Sequence, residues 1–356
     1  MTANNAIEIA GRKIGEGHPC YVIAELSANH SQDKGAALAL VRAAAEAGAD
    51  AIKLQTYRAD TITLDCDAPC FRIGEGTAWE GRRLYDLYEE AHTPWEWHGE
   101  LFAASAALGL PCFSSPFDAT AVDFLESIDC PAYKIASFEI VDHALILKAA
   151  STGKPLIIST GMASEAEVAE AVGVAREAGA GGIALLKCVS AYPAPEEDMN
   201  LRTIPYLSSR FACPAGLSDH TLGILVPVTS VALGGCIIEK HLTMRRSDGG
   251  PDSHFSLEPE EFAEMVAGIR IAEKSAGSPT FDLTDSQRPS SQFRRSLFAA
   301  QDIAAGELFT ETNIRSVRPG NGLPPKHLPE VLGLHATTDI AFGTPLAWEH
   351  VSGRSV

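Results

Sequence analysis

The sequence predicts an α/β chain, a TIM (β/α)8 barrel followed by a second, small domain, and three observations carry that prediction. Eight short apolar runs recur from about residue 20 to about residue 276. Amphipathic stretches separate them, several closed by glycine, the residue a helix C-terminus prefers. The span fits the roughly 250 residues a barrel of this kind needs.

Taken in order, "YVIAEL" is the first strand, and "KGAALALVRAAAEAGA" after it has the 3.6-residue period of a helix. "DAIKLQ" follows, then "PWEWHGELFAASAALGL" as a second helix, "PCFSS", and "AYKIAS". "PLIIST" precedes the helical "EAEVAEAVGVAREAGA", and "IALLKC" precedes "CPAGLS". "LGILVPVTSVALGG" then leads to the eighth run, "CIIEKH". Runs this uniformly apolar suit parallel strands buried on both faces. A doubly wound open sheet is the other architecture of this pattern, but its Gly-rich nucleotide turn is missing. The barrel is assigned to residues 1–276. Residues 277–295, polar and Ser-rich, read as a linker. Residues 296–356 form the small domain, in which "DIAAGELFT" and "DIAFGTPLA" make a weak internal repeat.

Composition narrows the function. A chain of 356 residues with formal net charge −18 and no Lys/Arg block is a poor partner for nucleic acid or an anionic membrane. An anionic ligand must therefore be held by a few local cations. The N-terminus has no basic segment leading into an apolar core, and no run is long enough for a membrane span, so the expected location is the cytoplasm. The eight cysteines are scattered, with neither a zinc-type pair nor a secreted disulfide framework.

In a barrel, chemistry collects where the strands end. Every run here ends in polar residues. The first leads to Glu25, Ser27, Asn29 and His30, the second carries Lys53 and Gln55, and the third ends at Ser114 and Ser115. The fourth holds Lys134, Ser137 and Glu139, and the fifth Ser159 and Thr160. The sixth leads to Lys187, Ser190 and Tyr192, the seventh to Ser218, Asp219 and His220, and the eighth to Glu239, Lys240 and His241. These ends are expected to share one cavity. Two imidazoles with open positions beside them suit a divalent ion such as Mn²⁺ acting as a Lewis acid. The lysines and small hydroxyls suit a phosphate and a carboxylate. Glu25, Glu139 and Asp252 have two readings, orienting sugar hydroxyls or moving protons, or simply pairing with the lysines.

The motifs "IAELSANH", "GADAIKLQTY", "FSSPFD", "YKIASFEI", "ISTGM", "SAYPAP", "GLSDHTLG", "EKHLT" and "GGPDSHFSLEP" resemble, in order and spacing, the sialic acid synthase family. The resemblance covers nearly the whole chain. It implies a metal-dependent barrel that condenses phosphoenolpyruvate with an open-chain amino-sugar into a nine-carbon 2-keto acid, plus a C-terminal antifreeze-like (SAF, β-clip) domain. It puts the metal, Mn²⁺, Mg²⁺ or Co²⁺, on His220 and His241. It puts phosphoenolpyruvate on Lys53, Ser115, Lys134, Ser137, Ser159, Ser190 and Ser218, and the sugar near Glu25, Glu139, Tyr192 and Asp252. Neuraminate synthases usually have Thr and Asn where this chain has Ser115 and Ser190. Glu25 is the candidate for handling a proton, with Glu139 the alternative, and Lys53 and Lys134 offset the substrate's charge.

Segment 76–98, "GTAWEGRRLYDLYEEAHTPWEWH", with "AELSANH" and "SLEPEEF", resembles the pseudaminic acid synthase branch. That branch implies 2,4-diacetamido-2,4,6-trideoxy-β-L-altropyranose as substrate and a product typically destined for flagellin or surface glycans. The N-acetylneuraminate and legionaminate branches are the alternatives. Without function, segment 76–98 is an amphipathic helix and a connecting loop. The resemblance also implies a domain-swapped homodimer in which Arg318 of "RPGNG" reaches the partner's sugar. Two readings of other classes stand beside it: a Schiff-base aldolase using Lys134 or Lys187, and a non-catalytic sugar-binding protein.

Overall fold

The computed structural model of the chain describes residues 6–74 and 79–353, so positions 76–78 of the segment singled out above lie outside it. The chain divides into two compact units, residues 1–277 and 278–356.

In the first unit eight parallel strands close into a barrel: β1 (Tyr21–Glu25), β2 (Ala51–Thr56), β3 (Cys112–Pro116), β4 (Tyr133–Ile135), β5 (Leu156–Ser159), β6 (Ile183–Cys188), β7 (Ala215–Asp219) and β8 (Ile237–His241). β8 pairs with β1 to complete the ring. A helix follows each strand: α1 (Lys34–Glu46), α2 (Trp95–Ala107), α3 (Ala119–Ser127), α4 (His143–Ala150), α5 (Glu165–Glu177), α6 (Thr203–Phe211), α7 (Leu225–Ala232) and α8 (Pro259–Ala276). Caps set several starts: the Asp33 and Asp118 carboxylates accept first-turn amides, and Ser164 and Glu167 form a capping box for α5. The apolar runs are buried on both faces, as their lack of alternation requires.

An N-terminal hairpin, Ile7–Ile9 with Arg12–Ile14, packs against the strand-start end of the barrel. Ile7, Ile9 and Ile14 belong to the main core, and Ile7 lies against Gly182 just before β6. Arg12 pairs with Asp50, which also pairs with Arg270 at 2.8 Å and accepts the Val22 amide at 2.8 Å. That end of the barrel is closed.

Between β2 and α2 the chain makes a long excursion with two short helices, Ala59–Ile62 and Leu84–Ala91. Segment 76–98 therefore supplies the second of these helices, a connection, and the start of α2.

In the second unit β9 (Ser296–Ala299) pairs with β10 (Ile314–Val317), and β11 (His335–Ala336) with β12 (Val351–Ser352), around a core that includes Leu297, Phe309, Ile314 and Leu346. The weak sequence repeat is a structural one. Ile303 and Ile340 exchange both backbone hydrogen bonds at 2.8 Å. Asp339 accepts the Ala305 amide and Asp302 the Phe342 amide, each at 2.7 Å, while Gly306 and Gly343 take matching left-handed φ of 81° and 79°. A 3-10 helix, Arg288–Phe293, lies within the segment read as a linker.

Candidate active site

The barrel mouth holds a cavity of about 510 Å³. Its deep part is charged. β1 and β2 run in register with Glu25 beside Lys53, and β7 and β8 with Ser218 beside Glu239. Lys53, 3% exposed, pairs with Glu25, donates to Ser115 Oγ at 3.2 Å, and lies 3.4 Å from Glu239 Oε1. The other Glu239 oxygen lies 3.8 Å from Lys134 Nζ, and Ser218 donates to Glu239 at 3.2 Å. Two cations and two carboxylates thus share a space from which water is largely excluded.

Burial would lower the pKa of Lys53, but Glu239 and Glu25 outweigh it and raise it. Lys134 goes down, because burial and the Lys53 charge exceed what Glu239 returns. For Glu239, burial raises the pKa and the two lysines more than reverse it. Glu25 is raised to about 7, chiefly by burial, with Lys53 opposing.

Nearer the two histidines, His220 Nδ1 lies 3.0 Å from the Val189 carbonyl, to which it donates, so Nε2 is the nitrogen that serves a ligand when the ring is neutral. Burial lowers the ring's pKa, but Cys188 at 3.9 Å and the Val189 carbonyl outweigh it and raise it. His241 Nδ1 is buried without a hydrogen-bond partner, 3.9 Å from an Asp252 oxygen, and burial drives its pKa well below the ordinary value, so the ring is neutral. The ring centroids are 5.4 Å apart, and Tyr192 lies over His220 at 4.6 Å. Among the described residues no group of three His, Cys, Asp or Glu is arranged to enclose a metal. Two imidazoles with free nitrogens fit a divalent ion whose other positions go to water or substrate oxygen.

Of the residues chosen from sequence, Lys53, Lys134, Ser137, Glu139, Ser159 and Tyr192 line this cavity, as do Ser218, His220, His241 and Asp252. Ser159 Oγ and Glu139 Oε2 are buried there without protein partners, as groups awaiting a ligand would be. Glu25, Ser115 and Ser190 are one contact removed: the first two touch Lys53, and Ser190 shares a 2.8 Å hydrogen bond with Ser137. Arg318 belongs to the second unit, where it is exposed after β10.

The expectation that every strand end faces one cavity needs correction. Side chains alternate along a strand, so half of these polar ends point away. Ser114 bonds to Thr56, which bonds to His98 at 2.8 Å. Asp219 pairs with Lys240, His30 bonds to Thr93, and Asn29 to the Leu242 carbonyl. The same alternation exposes an omission. Glu239, to which the family resemblance gives no role, stands two before His241, shares its face and joins the charged floor, whereas Lys240 between them does not line the cavity.

One wall of the cavity is apolar. Ile62, Ile73, Leu84 and Leu87 come from the β2–α2 excursion, with Tyr88 and Phe117 beside them. Glu139 lies at the edge of this wall, and burial raises its pKa to about 7. A carboxyl whose folded pKa exceeds its unfolded value destabilises the fold increasingly as pH rises through the interval between them. Glu139→Gln is therefore expected to raise Tm near about pH 8 and leave it nearly unchanged near about pH 4. Thermal unfolding of the ligand-free protein checks this, and equal shifts at both pH values would assign the effect to something other than the charge.

The closed barrel thus gathers two buried lysines, several small hydroxyls and two histidines at one mouth, which defines the class as a barrel whose cavity suits an anionic substrate. The NeuB family model matches residues 40–280, and the SAF domain model matches residues 294–352. The chain belongs to the NeuB family. It is 46% identical to pseudaminic acid synthase of Campylobacter jejuni over 92% of this chain and 95% of that one, and 44% identical to that of Helicobacter pylori over 94% and 98%. Its structure is similar to the crystal structure of N-acetylneuraminic acid synthetase from Leptospira borgpetersenii in complex with citrate, with a TM-score of 0.72, 31% identity, and coverage of 81% of this chain and 96% of that one.

Proposed function

We propose that this protein is an enzyme of pseudaminic acid synthesis, condensing phosphoenolpyruvate with open-chain 2,4-diacetamido-2,4,6-trideoxy-L-altrose to give the nine-carbon acid and phosphate. The observation that carries the chemistry is the pair of buried lysines, Lys53 and Lys134, facing one cavity with the unpartnered Ser159 hydroxyl. A substrate bearing phosphate and carboxylate is what such a floor neutralises. Lys53, held charged by Glu25 and Glu239, and Lys134 bind it, with Ser137, Ser159 and Ser218 donating. Ser115 and Ser190 act through Lys53 and Ser137. His220 and His241 would hold a divalent ion, Mn²⁺, Mg²⁺ or Co²⁺, which would supply Lewis acidity toward the sugar's carbonyl oxygen. Carbon 3 of phosphoenolpyruvate attacks the aldehyde carbon, water adds at carbon 2, and phosphate leaves by C–O cleavage. Glu25, one contact behind the cavity, takes the proton-handling role by relay through the groups around Lys53, with Glu139, which lines the cavity and is likewise raised to about 7, the alternative. Asp252, Glu139 and Tyr192 orient the sugar.

The apolar wall favours this sugar over a hydroxylated one, because its 6-methyl and two acetamido methyls need dry surface. The identity of 46% to pseudaminic acid synthase against 31% to the neuraminate enzyme points the same way. The deciding measurement is phosphate release from phosphoenolpyruvate across a panel of amino-sugars. The 6-deoxy diacetamido sugar should exceed N-acetylmannosamine by far more in kcat/KM than the 10–200-fold that about 1–3 kcal/mol from one methyl contact would give, matched polar contacts supplying the rest. Comparable values for both sugars would place the chain in another branch.

Among the described residues no helix is long and apolar enough to cross a membrane, in keeping with a cytoplasmic enzyme supplying flagellin or surface glycan synthesis. We further propose a domain-swapped homodimer in which the exposed Arg318 reaches the sugar in the partner's barrel. His220→Ala chains and Arg318→Ala chains, each inactive alone, should regain activity when mixed, because one site of the mixed dimer receives both intact residues. Demonstrated mixed dimers without activity would return Arg318 to its own barrel or to no role.

A further inference from the structure

Each histidine follows directly on a charged residue that the reaction does not use. In the register of β7 and β8, Asp219 stands beside Lys240, and His220 and His241 come next along each strand. Ser218 and Glu239 face the cavity, whereas Asp219 and Lys240 do not line it, and both are 0% exposed. Lys240 Nζ lies 2.5 Å from Asp219 Oδ2 and also donates to the Thr221 carbonyl. Asp219 accepts from the Thr221 hydroxyl at 3.0 Å and from the Thr221 amide at 3.3 Å. Thr221 is itself fully buried. The backbone on the far side of His220 is thus gripped at its amide, its carbonyl and its side chain, and the grip is anchored on the strand that carries His241.

Stability alone does not explain this arrangement. Desolvating two charges costs about what their attraction returns, so a well-packed apolar pair would hold the two strands as firmly. A charged pair differs in direction, since its hydrogen bonds fix one backbone geometry. We infer that Asp219 and Lys240 are positioning residues, a clamp that sets His220 relative to His241 and thereby the affinity of the divalent-cation site. The inference rests on the reading of the two histidines as the metal pair.

The test is Mn²⁺ binding to the full-length protein by calorimetry and by loss of the free-ion electron paramagnetic signal, with Tm followed in parallel. Wild type and His220→Ala are the references. The double variant Asp219→Leu/Lys240→Met should fold with Tm close to wild type yet bind Mn²⁺ about 10–100-fold more weakly, the range expected when support behind a metal ligand is lost. Should that variant fail to fold, Thr221→Val keeps the ion pair and removes one hydrogen bond; it should weaken Mn²⁺ by several fold, and Thr221→Ser should restore it. Wild-type affinity in the folded double variant, or in Thr221→Val where the double does not fold, would overturn the clamp while leaving the metal pair standing, provided His220→Ala has lost the ion. A wild-type protein that binds no Mn²⁺ would overturn the metal reading, and the clamp with it.

Discussion

Alanine in place of either His220 or His241 is expected to lower kcat/KM by about a thousandfold, equivalent to roughly 4 kcal/mol of transition-state stabilisation. The fold should persist, because both rings sit at the rim of the barrel rather than in the packed layers of aliphatic side chains beneath. Metal affinity should fall with the rate in both variants. In the wild type, chelation should abolish turnover, and Mn²⁺, Co²⁺ or Mg²⁺ should restore it. This result would also separate the condensation reading from a Schiff-base aldolase, which needs no metal and leaves a borohydride-trappable adduct on lysine. Full turnover in excess chelator, or a histidine variant with the wild-type rate, would remove the metal role.

The second large effect is one of charge. Lys53 lies between two buried carboxylates, Glu25 at 0% exposure and Glu239 at 4%. Lys53→Met leaves them facing each other with only Lys134 nearby, and removing one partner from a buried ion network costs about 3–5 kcal/mol. The sign with pH follows from the carboxyls. Without Lys53 the folded pKa of Glu25 rises further above its unfolded value and Glu239 loses much of what holds its own pKa down, so the penalty grows as pH rises and recedes once Glu25 takes up a proton. Urea unfolding should show the full deficit at about pH 8 and a smaller one at about pH 5.5, with phosphoenolpyruvate binding lost at both. A deficit independent of pH would mean that lost packing, not charge, is the cause.

The barrel was legible because the strands are apolar with little alternation and several of the helices are closed by glycine. "IALLKC" coincides with β6, and "CIIEKH" overlaps all of β8. Which polar strand end enters the cavity was less legible, since that depends on the phase of each strand. Ser114 and Ser115 are neighbours in sequence, yet one belongs to the Thr56 and His98 network and the other touches Lys53. Fixing the phase of β8 on His241 keeps Glu239 in the cavity and leaves out Lys240. The apolar wall was only partly legible. Its residues are spread over the β2–α2 excursion, at Ile62, Ile73, Leu84 and Leu87, where no single period governs and only the fold of the excursion brings them together. The placing of Ser115 and Ser190 one contact behind the cavity depends on side-chain geometry that spacing does not encode.

The hairpin of Ile7–Ile9 and Arg12–Ile14 packs into the core at the far end of the barrel, so among the described residues the charged floor opens at the mouth. A vessel with one opening imposes a sequence on what is put into it. On the proposed reading, the anion that neutralises Lys53 and Lys134 has to reach them before the sugar occupies the space above. Initial-rate kinetics should then be ordered, with the anionic substrate entering first and sugar that arrives early inhibiting its own reaction; random-order patterns would mean that the sugar does not block the floor.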